Sequence, residues 1–472
     1  MGTLKIIGSN AIRKETHWEK VSDESSHKND LHNWKFQYIA AFSASLATLC
    51  TGTVLGWPSQ ITAKLLDDDL DFPIDSGQLG WIYSCSSLGA ALLSLVVGPI
   101  CDSLGRKLTM ILMVLPLEIG WLLIIFAGDS WGGSSLEWWG GSFCVTVPLY
   151  IGEIAQAEIR GVLGGLTQFT ISCGILVANI LGEFLSVGNF SVACAIVPML
   201  FVLIFVSMPE SPLYLQTKGR SDDAKKSLRK LLGKKSVEDE FNEIEKYIRG
   251  ETKVVPAMEI LRKKSTKKAL AIGIGLALAK VLSGIDAVTS YLSHIFDSTD
   301  TSLGSKNAAI LFAMFQVFSV VPQTLIVDRW GRKILLTSAQ FAMAFCLLAT
   351  SLCLHLKLVH GMDPALDYVP VVALCLYTVA FSVGIGPLGW ILTAEIFEEK
   401  IRGPAMSACT FLIWFLAFGN VKMFEVIEDV SELSVPFIVY GTVSFLAAFF
   451  VLFLVPETKN KSFAEIDKEL SR

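Results

Sequence analysis

Charge is what this sequence is short of. Only 18% of its 472 residues are Asp, Glu, Lys or Arg, while 52% are apolar, and the mean hydropathy is +0.54. A soluble domain of ordinary composition carries about 25% charged residues, so the shortage excludes that class and places the chain in lipid. No cleavable leader is expected either: residues 1–36 are mostly polar and include Lys5, Arg13, Lys14 and Lys20, so the first apolar run is expected to serve as its own uncleaved signal. No phosphate loop, metal-ligating cluster or nucleophile constellation occurs, and neither an enzyme nor a bound cofactor is expected. The ten cysteines offer no framework of paired spacings. Cys50, Cys85, Cys144, Cys173, Cys194, Cys346, Cys353, Cys375 and Cys409 sit singly in apolar runs and Cys101 at the end of one, so no structural disulfide is expected.

What the sequence has is long apolar runs. Crossing about 30 Å of hydrocarbon takes roughly 20 helical residues. Twelve runs are candidates, near 38–58, 77–100, 108–127, 138–152, 163–182 and 190–208, then 269–295, 308–327, 334–356, 369–393, 405–424 and 434–455. Backbone groups in lipid must pair within their own segment, which makes these runs helices rather than open strands. Of the 39 Lys and Arg, 34 fall on one side of the implied membrane, the signature of a cytoplasmic face. Both termini are therefore expected inside the cell. The opposite loops are acidic, as in Asp67-Asp68-Asp69-Leu70-Asp71.

This sidedness divides the chain into a cytoplasmic tail (1–36), a six-helix bundle (37–208), a cytoplasmic helical linker (209–268), a second six-helix bundle (269–456) and a tail (457–472). In the linker, Ser221-Asp222-Asp223 marks a helix start, and Leu228, Leu231 and Leu232 recur at helical spacing, which predicts short amphipathic helices. A solvated, flexible linker is the alternative. The sequons at Asn189 and Asn460 lie against the bilayer and on the cytoplasmic side respectively, so neither reads as a glycan site.

Three pieces of the chain occur twice. Asp102-Ser-Leu-Gly-Arg106-Lys107 returns 226 residues later as Asp328-Arg-Trp-Gly-Arg332-Lys333. Glu153 and Arg160, followed by Gly161, return 242 residues later as Glu395 and Arg402, followed by Gly403. Pro209-Glu210 is answered after 247 residues by Pro456-Glu457. A helical bundle duplicated within the membrane is how many secondary transporters are built. Asp102, Glu153, Glu210, Asp328, Glu395 and Glu457, with Arg106, Arg160, Arg332 and Arg402, supply charge-assisted hydrogen bonds at helix ends. Such bonds form when two halves meet and break when they part, which is a cytoplasmic gate. The plainer alternative treats them as topogenic charges and helix caps.

Taken together, Gly98-x3-Asp102-x2-Gly105-Arg106-Lys107, Pro148-Leu-Tyr150-x2-Glu153, Pro209-Glu-Ser-Pro212, Ser283-Gly284-Ile285, Gly384-Ile-Gly386-Pro387-x2-Trp390-x4-Glu395 and Pro456-Glu457-Thr458 resemble the sugar-porter signatures of the major facilitator superfamily. Within the solute carrier 2 family, the chain is most similar to the facilitated trehalose and hexose transporters of insects. The resemblance spans about residues 37–465. It implies an all-α membrane protein with twelve transmembrane helices in two six-helix repeats, working by alternating access in the cell membrane. The implied partners are a small sugar and the bilayer, not nucleic acid; oligomeric state is left open. A sugar needs amide or hydroxyl groups around its rim and an aromatic platform. By motif position the resemblance assigns Gln168 to that role in span 5, with Ile171 and Ile175 on the same face, Gln316 in span 8, Trp390 in span 10 and Trp414 in span 11. Tyr291 takes the place of a span 7 tyrosine that helps close the outer gate.

The chain departs from this pattern at span 7. The family reads Gln-Gln-Leu-Ser-Gly-Ile-Asn where this sequence has Lys280-Val281-Leu282-Ser283-Gly284-Ile285-Asp286. Charge near the bilayer centre costs several kcal/mol unless it pairs or meets water, so Lys280 and Asp286 are expected to face the cavity or each other. Six residues apart, they point about 240° around a straight helix, which disfavours direct pairing unless Ser283-Gly284 breaks the helix. Ile413 replaces a family asparagine beside Trp414. Glu118, midway along span 3, reads as a protonated or snorkelling acid without a role. Span 4 is thin: residues 129–152 must supply both a loop with Gly132, Gly133, Ser134, Ser135 and Glu137 and a crossing. The span 1 acid and span 4 arginine usual in proton-coupled relatives are missing, so energy coupling by that route is not expected. The expected function is facilitative, uniport transport of a neutral sugar such as trehalose or a hexose, with Lys280, Val281 and Asp286 added to the substrate-binding set. The alternatives are a carrier of a charged or zwitterionic solute and a transport-impaired sugar sensor.

Overall fold

The computed structural model describes residues 34–65, 76–127, 142–156, 159–233, 236–251, 263–299, 304–360, 367–397, 399–459, 461 and 463–471. Among the described residues every regular element is helical, and ten helices are long and apolar enough to span a membrane, with two shorter apolar ones at Phe143–Ile154 and Asn307–Gln323. The first half holds span 1 (Lys35–Leu65), span 2 (Ser76–Leu104), span 3 (Arg106–Leu112 continued by Val114–Ala127), span 4 (Phe143–Ile154), span 5 (Arg160–Phe184) and span 6 (Val187–Phe205). The second holds span 7 (Lys264–Val281, then Ile285–Ser290 and Leu292–Asp297), span 8 (Ser305–Trp330), span 9 (Arg332–His360), span 10 (Tyr368–Val383, then Ile385–Ile396), span 11 (Glu399–Val430) and span 12 (Ser434–Leu454).

Residue size decides which faces touch, because lipid supplies no hydrophobic force between apolar helices. Span 1 presents Ala40, Ala41, Ala44 and Ala47, all fully buried, whereas Phe126, Leu203 and Phe453 point outward and are more than two-thirds exposed. Spans 1 and 5 approach until their backbones meet. A Cβ on Gly52 would strike the Ile171 carbonyl, and one on Gly174 the Leu49 carbonyl. Hydrogen bonds fasten the seam, with Thr48 Oγ1 2.7 Å from Thr170 Oγ1 and Gln60 Nε2 donating to Asn179 Oδ1 at 2.8 Å. In the second half, span 9 packs along spans 10 and 12. The halves meet where span 2 lies against span 11 and span 5 against span 8.

The linker helices Pro212–Thr217, Ser221–Leu232 and Glu238–Glu251 mark one side of the assembly, called here the linker side. They share a small core of Tyr214, Leu215, Ala224, Leu228, Leu232, Val237 and Phe241, so the leucine stripe is a packed face. The helix Ser221–Leu232 leans on span 1, while the tail helix Phe463–Ser471 packs against spans 7 and 10. Each half thus carries its own plate on the linker side.

Three sequence expectations bear on the described residues differently. Span 7 is broken: Gly284 takes φ 88° and the helix restarts at Ile285. Glu118 does not snorkel, since it is 7% exposed inside the helical packing. Span 4 has twelve described residues, and 128–141, which hold the glycines and serines read as its loop, lie outside the described residues, as do the 67–71 acidic loop and residues 1–33.

The backbone contact between spans 1 and 5 gives a stability prediction. Gly174→Val should destabilise the purified protein by about 1–3 kcal/mol through overpacking, lowering its detergent Tm by several degrees. Gly188→Val, at a glycine whose added Cβ meets nothing within 4 Å, should leave it nearly unchanged. Equal melting curves for the two variants would count against the seam.

Candidate functional site

The duplicated motif builds the same turn twice. Gly105 joins spans 2 and 3 at φ 98°, ψ 163°, and Gly331 joins spans 8 and 9 at φ 88°, ψ 158°. This backbone region favours glycine, and in both turns an added Cβ would run into a carboxylate, that of Glu210 or Glu457. Glu210 accepts hydrogen bonds from the backbone N–H groups of Arg106 (3.1 Å), Lys107 (3.1 Å) and Ser211 (2.8 Å). Glu457 accepts from those of Arg332 (3.0 Å), Lys333 (3.1 Å) and Lys459 (2.9 Å). Each carboxylate therefore closes the N-terminus of a span, where free N–H groups and the helix dipole favour negative charge. Burial pushes the Glu457 carboxyl up, but the N–H groups of Lys459, Lys333, Arg332 and Thr458 outweigh it and hold it below the usual range.

Beside each turn a guanidinium gathers further acids. Arg106 pairs with Glu153 at 2.8 Å and Asp102 at 3.3 Å, donates to the Cys101 carbonyl at 3.1 Å and lies 5.2 Å from the Tyr214 ring centre. Arg332 pairs with Glu395 at 3.7 Å. Arg160 is exposed and reaches the Ala155 carbonyl at 3.4 Å. The side chains of Asp328 and Arg402 lie outside the described residues. These described pairs each join residues of one half rather than bridging the two.

Nearer mid-chain depth, the break in span 7 has its own partners. The Tyr377 hydroxyl donates to the Ser283 carbonyl at 3.0 Å, and Asn420 Nδ2 donates to the Val281 carbonyl at 3.1 Å. Carbonyls freed by the missing helical turn are thus satisfied. No motif pointed to Tyr377 or Asn420; a buried polar group within an apolar run was their only signal. Lys280, just before the break, sets its Nζ 4.4 Å from the centre of the Trp390 ring, a cation–π contact. Lys280 and Asp286 make no direct ion-pair contact among the described residues, but each feels the other's charge across the break. Val281 is fully buried.

The remaining residues assigned by resemblance divide between two settings. Gln168 and Gln316 are both buried, on spans 5 and 8, which pack together. Gln316 Oε1 has no hydrogen-bond partner in the protein, and the same is true of Gln323 Oε1, seven residues on. Trp414 shares an apolar cluster with Ala90, Ala91 and Cys144, bordered by Leu55, Ile171 and Phe411. That cluster draws on spans 1, 2, 4 and 5 of one half and span 11 of the other. Ile175 sets its backbone against Gly56 of span 1, as Ile171 does against Gly52.

On the side away from the linker the halves are in contact. Ser59 Oγ lies 3.1 Å from Ser293 Oγ, the rings of Trp81 and Phe418 are 6.1 Å apart, and Lys422 Nζ lies 4.9 Å from the Trp81 ring centre. Tyr291 stacks on Phe424 at 4.8 Å, holding the outer piece of span 7 against span 11.

A doubled six-helix array with matched carboxylate turns on one side, and amide and aromatic groups where the halves meet, defines a membrane transporter of the major facilitator fold. Residues 20–470 match the family described as sugar (and other) transporter, and the chain belongs to that family. It is 31% identical to the facilitated trehalose transporter Tret1 of Bombyx mori, over 99% of this chain and 94% of the relative. Against Tret1 of Polypedilum vanderplanki the identity is 30%, over 92% and 88%. Among solved structures, the proton:xylose symporter XylE bound to 6-bromo-6-deoxy-D-glucose superposes with a TM-score of 0.77 at 21% identity, covering 93% of this chain and 100% of that one. The partially occluded inward-open conformation of XylE from E. coli gives 0.76 at 20% identity, covering 91% and 100%. Both superpositions speak to the fold.

The Glu457 turn carries a pH signature. A carboxyl held down in the folded state contributes stability above its unfolded value, about pH 4.3, and that contribution is lost as pH falls through the folded value. Glu457→Gln should destabilise the protein at neutral pH by about 1 kcal/mol, the low end for a charge-assisted site that is partly wet. Its Tm should also fall less than that of the parent between pH 5 and pH 3. Parallel Tm curves would remove Glu457 from this role.

Proposed function

We propose that this chain is a facilitative, uniport carrier of a neutral sugar, trehalose or a hexose, in the cell membrane, with both termini and the linker in the cytoplasm. The orientation is supported by the sequence, in which 34 of 39 Lys and Arg fall in segments on one side of the apolar runs. The sugar is supported by the trehalose transporters to which the chain is similar along nearly its whole length. The observation that carries the reading is the placement of Gln168 and Gln316 on facing spans of opposite halves, with an amide oxygen of Gln316 unpartnered. A buried amide without a partner is costly, and a sugar hydroxyl is a fitting donor to it. Trp390 supplies the aromatic platform.

Alternating access then has a physical form. With the outer ends of the halves in contact through Ser59 and Ser293 and through Trp81 and Phe418, sugar leaves on the linker side. Rocking about the contacts of span 2 with span 11 and span 5 with span 8 reverses the opening. In this reading Arg106, Arg160, Arg332 and Arg402 exchange carboxylate partners as the linker side closes. The Asp102, Glu153, Glu210, Asp328, Glu395 and Glu457 set is the other half of that gate.

One contact favours a second reading. Lys280 occupies the ring face on which a sugar would stack, and its ammonium suits a solute bearing negative charge. Uptake of labelled trehalose, glucose and a panel of charged solutes into proteoliposomes separates the readings: sugar counterflow is expected, and flux of charged solutes alone would replace it. Trp390→Leu should weaken sugar binding about tenfold, the worth of one aromatic contact. Lys280→Gln should strengthen it by a similar factor by uncovering the ring. Val281 is left intact because its side chain is buried in packing. Unchanged sugar affinity in both variants would sink this placement of the site.

A further inference from the structure

Where the linker meets the first half, a cavity of about 450 Å³ opens at the boundary between spans and linker. One wall is apolar: Leu104 at the end of span 2 and Leu108 at the start of span 3, which are 43% and 45% exposed, with Pro209 and Leu215 behind them. The other wall is basic: Arg220, Lys226 and Lys230 of the linker. The two acids on its surface are already engaged. Glu210 accepts three backbone N–H groups of the span 3 turn and its own junction, and Asp223 is shared between Arg220 at 2.8 Å and Lys226 at 3.3 Å.

The surroundings extend the basic wall. Residues 218–230 hold Lys218, Arg220, Lys225, Lys226, Arg229 and Lys230 against only Asp222 and Asp223. Lys107 and Lys230 turn their ammonium groups to the Val206 and Ser207 carbonyls, at 2.6 Å each, which fixes positive charge at the end of span 6. Beside that end, Leu203, Ile204 and Val206 are exposed toward lipid. An apolar wall of half-exposed leucines facing a basic wall at the end of the spans matches an amphiphile with a negative head.

We propose that this groove binds an anionic phospholipid of the linker-side leaflet. The acyl chains lie along Leu104 and Leu108, and the headgroup phosphate rests among Arg220, Lys226 and Lys230. The occupant ties the span 2–3 turn to the linker helix Ser221–Leu232 and holds the linker plate against the first half. It is separate from the sugar path.

Native mass spectrometry of the full chain released from nanodiscs tests this, with phosphatidylcholine discs containing a minority of phosphatidylserine. The parent protein should retain phosphatidylserine over phosphatidylcholine. The Arg220→Gln, Lys226→Gln, Lys230→Gln triple variant should lose that preference by tenfold or more, given roughly fivefold per contributing cation. A matched variant at the start of span 7, Lys263→Gln, Lys264→Gln, Lys267→Gln, should keep it. Equal retention of the two lipids by the parent overturns the proposal. So does equal loss in both triple variants, which would mean a diffuse surface charge rather than a site. Loss of folding in the first variant is detected by its Tm. In that event Leu104→Gln with Leu108→Gln serves in its place, and undiminished phosphatidylserine retention by that pair likewise overturns it.

Discussion

Two carboxylates hold this structure's geometry. Glu210 and Glu457 each lie beneath a glycine turn and accept the N–H groups that open a long helix. Because span 3 and span 9 begin there, the turn fixes where each hairpin folds back, and the carboxylate's own junction fixes where span 6 or span 12 leaves the bundle. A bulkier residue at Gly105 or Gly331 would have to displace the acid. The Gly-Arg-Lys pattern with a distant Pro-Glu is thus a single three-dimensional object written in two places in the chain. Its duplication follows from the two halves being built alike.

The rest of the core answers a different constraint. Helices in lipid gain little from burying leucine, so closeness must come from smallness and from hydrogen bonds. The span 1 and span 5 seam uses both, with glycine meeting backbone and with the Thr48–Thr170 and Gln60–Asn179 bonds. Where the helix is interrupted at Gly284, the lost bonds are replaced by Tyr377 and Asn420 from neighbouring spans. The interruption gives span 7 an outer piece that Tyr291 and Phe424 pin to span 11. That piece can move without unwinding the rest of the helix.

Much of the fold was legible from the chain because hydropathy and the backbone's need for partners leave few choices in a membrane. Spans 5, 9 and 12 read as long apolar runs and are long helices, and the leucine stripe of the linker is a packed face. The twofold motif marks two turns that the structure builds alike, at Gly105 and at Gly331. Less legible was what each motif residue touches. Glu153 is bound to Arg106, forty-seven residues earlier, and not to its sequence neighbour Arg160. Ile171 and Ile175 share a helix face by spacing and both set their backbone against a span 1 glycine, yet Ile171 also borders the apolar cluster between the halves. Tyr377 and Asn420 could not be found by spacing, since a helix break creates needs only in its spatial neighbours. Nor could the Lys280 contact, which depends on how span 10 is itself broken after Val383.

Lys280 and Asp286 have one more consequence. Both ride on span 7, and their charges are opposite. A lone charge carried fully across the bilayer feels about 2.3 kcal/mol per 100 mV, enough to bias a carrier by the resting voltage of a cell. When these two, one on each side of the Gly284 break, shift in the same direction, their contributions to the displaced charge nearly cancel. This stretch of span 7 can therefore hold ions at depth and remain almost indifferent to the electrical gradient.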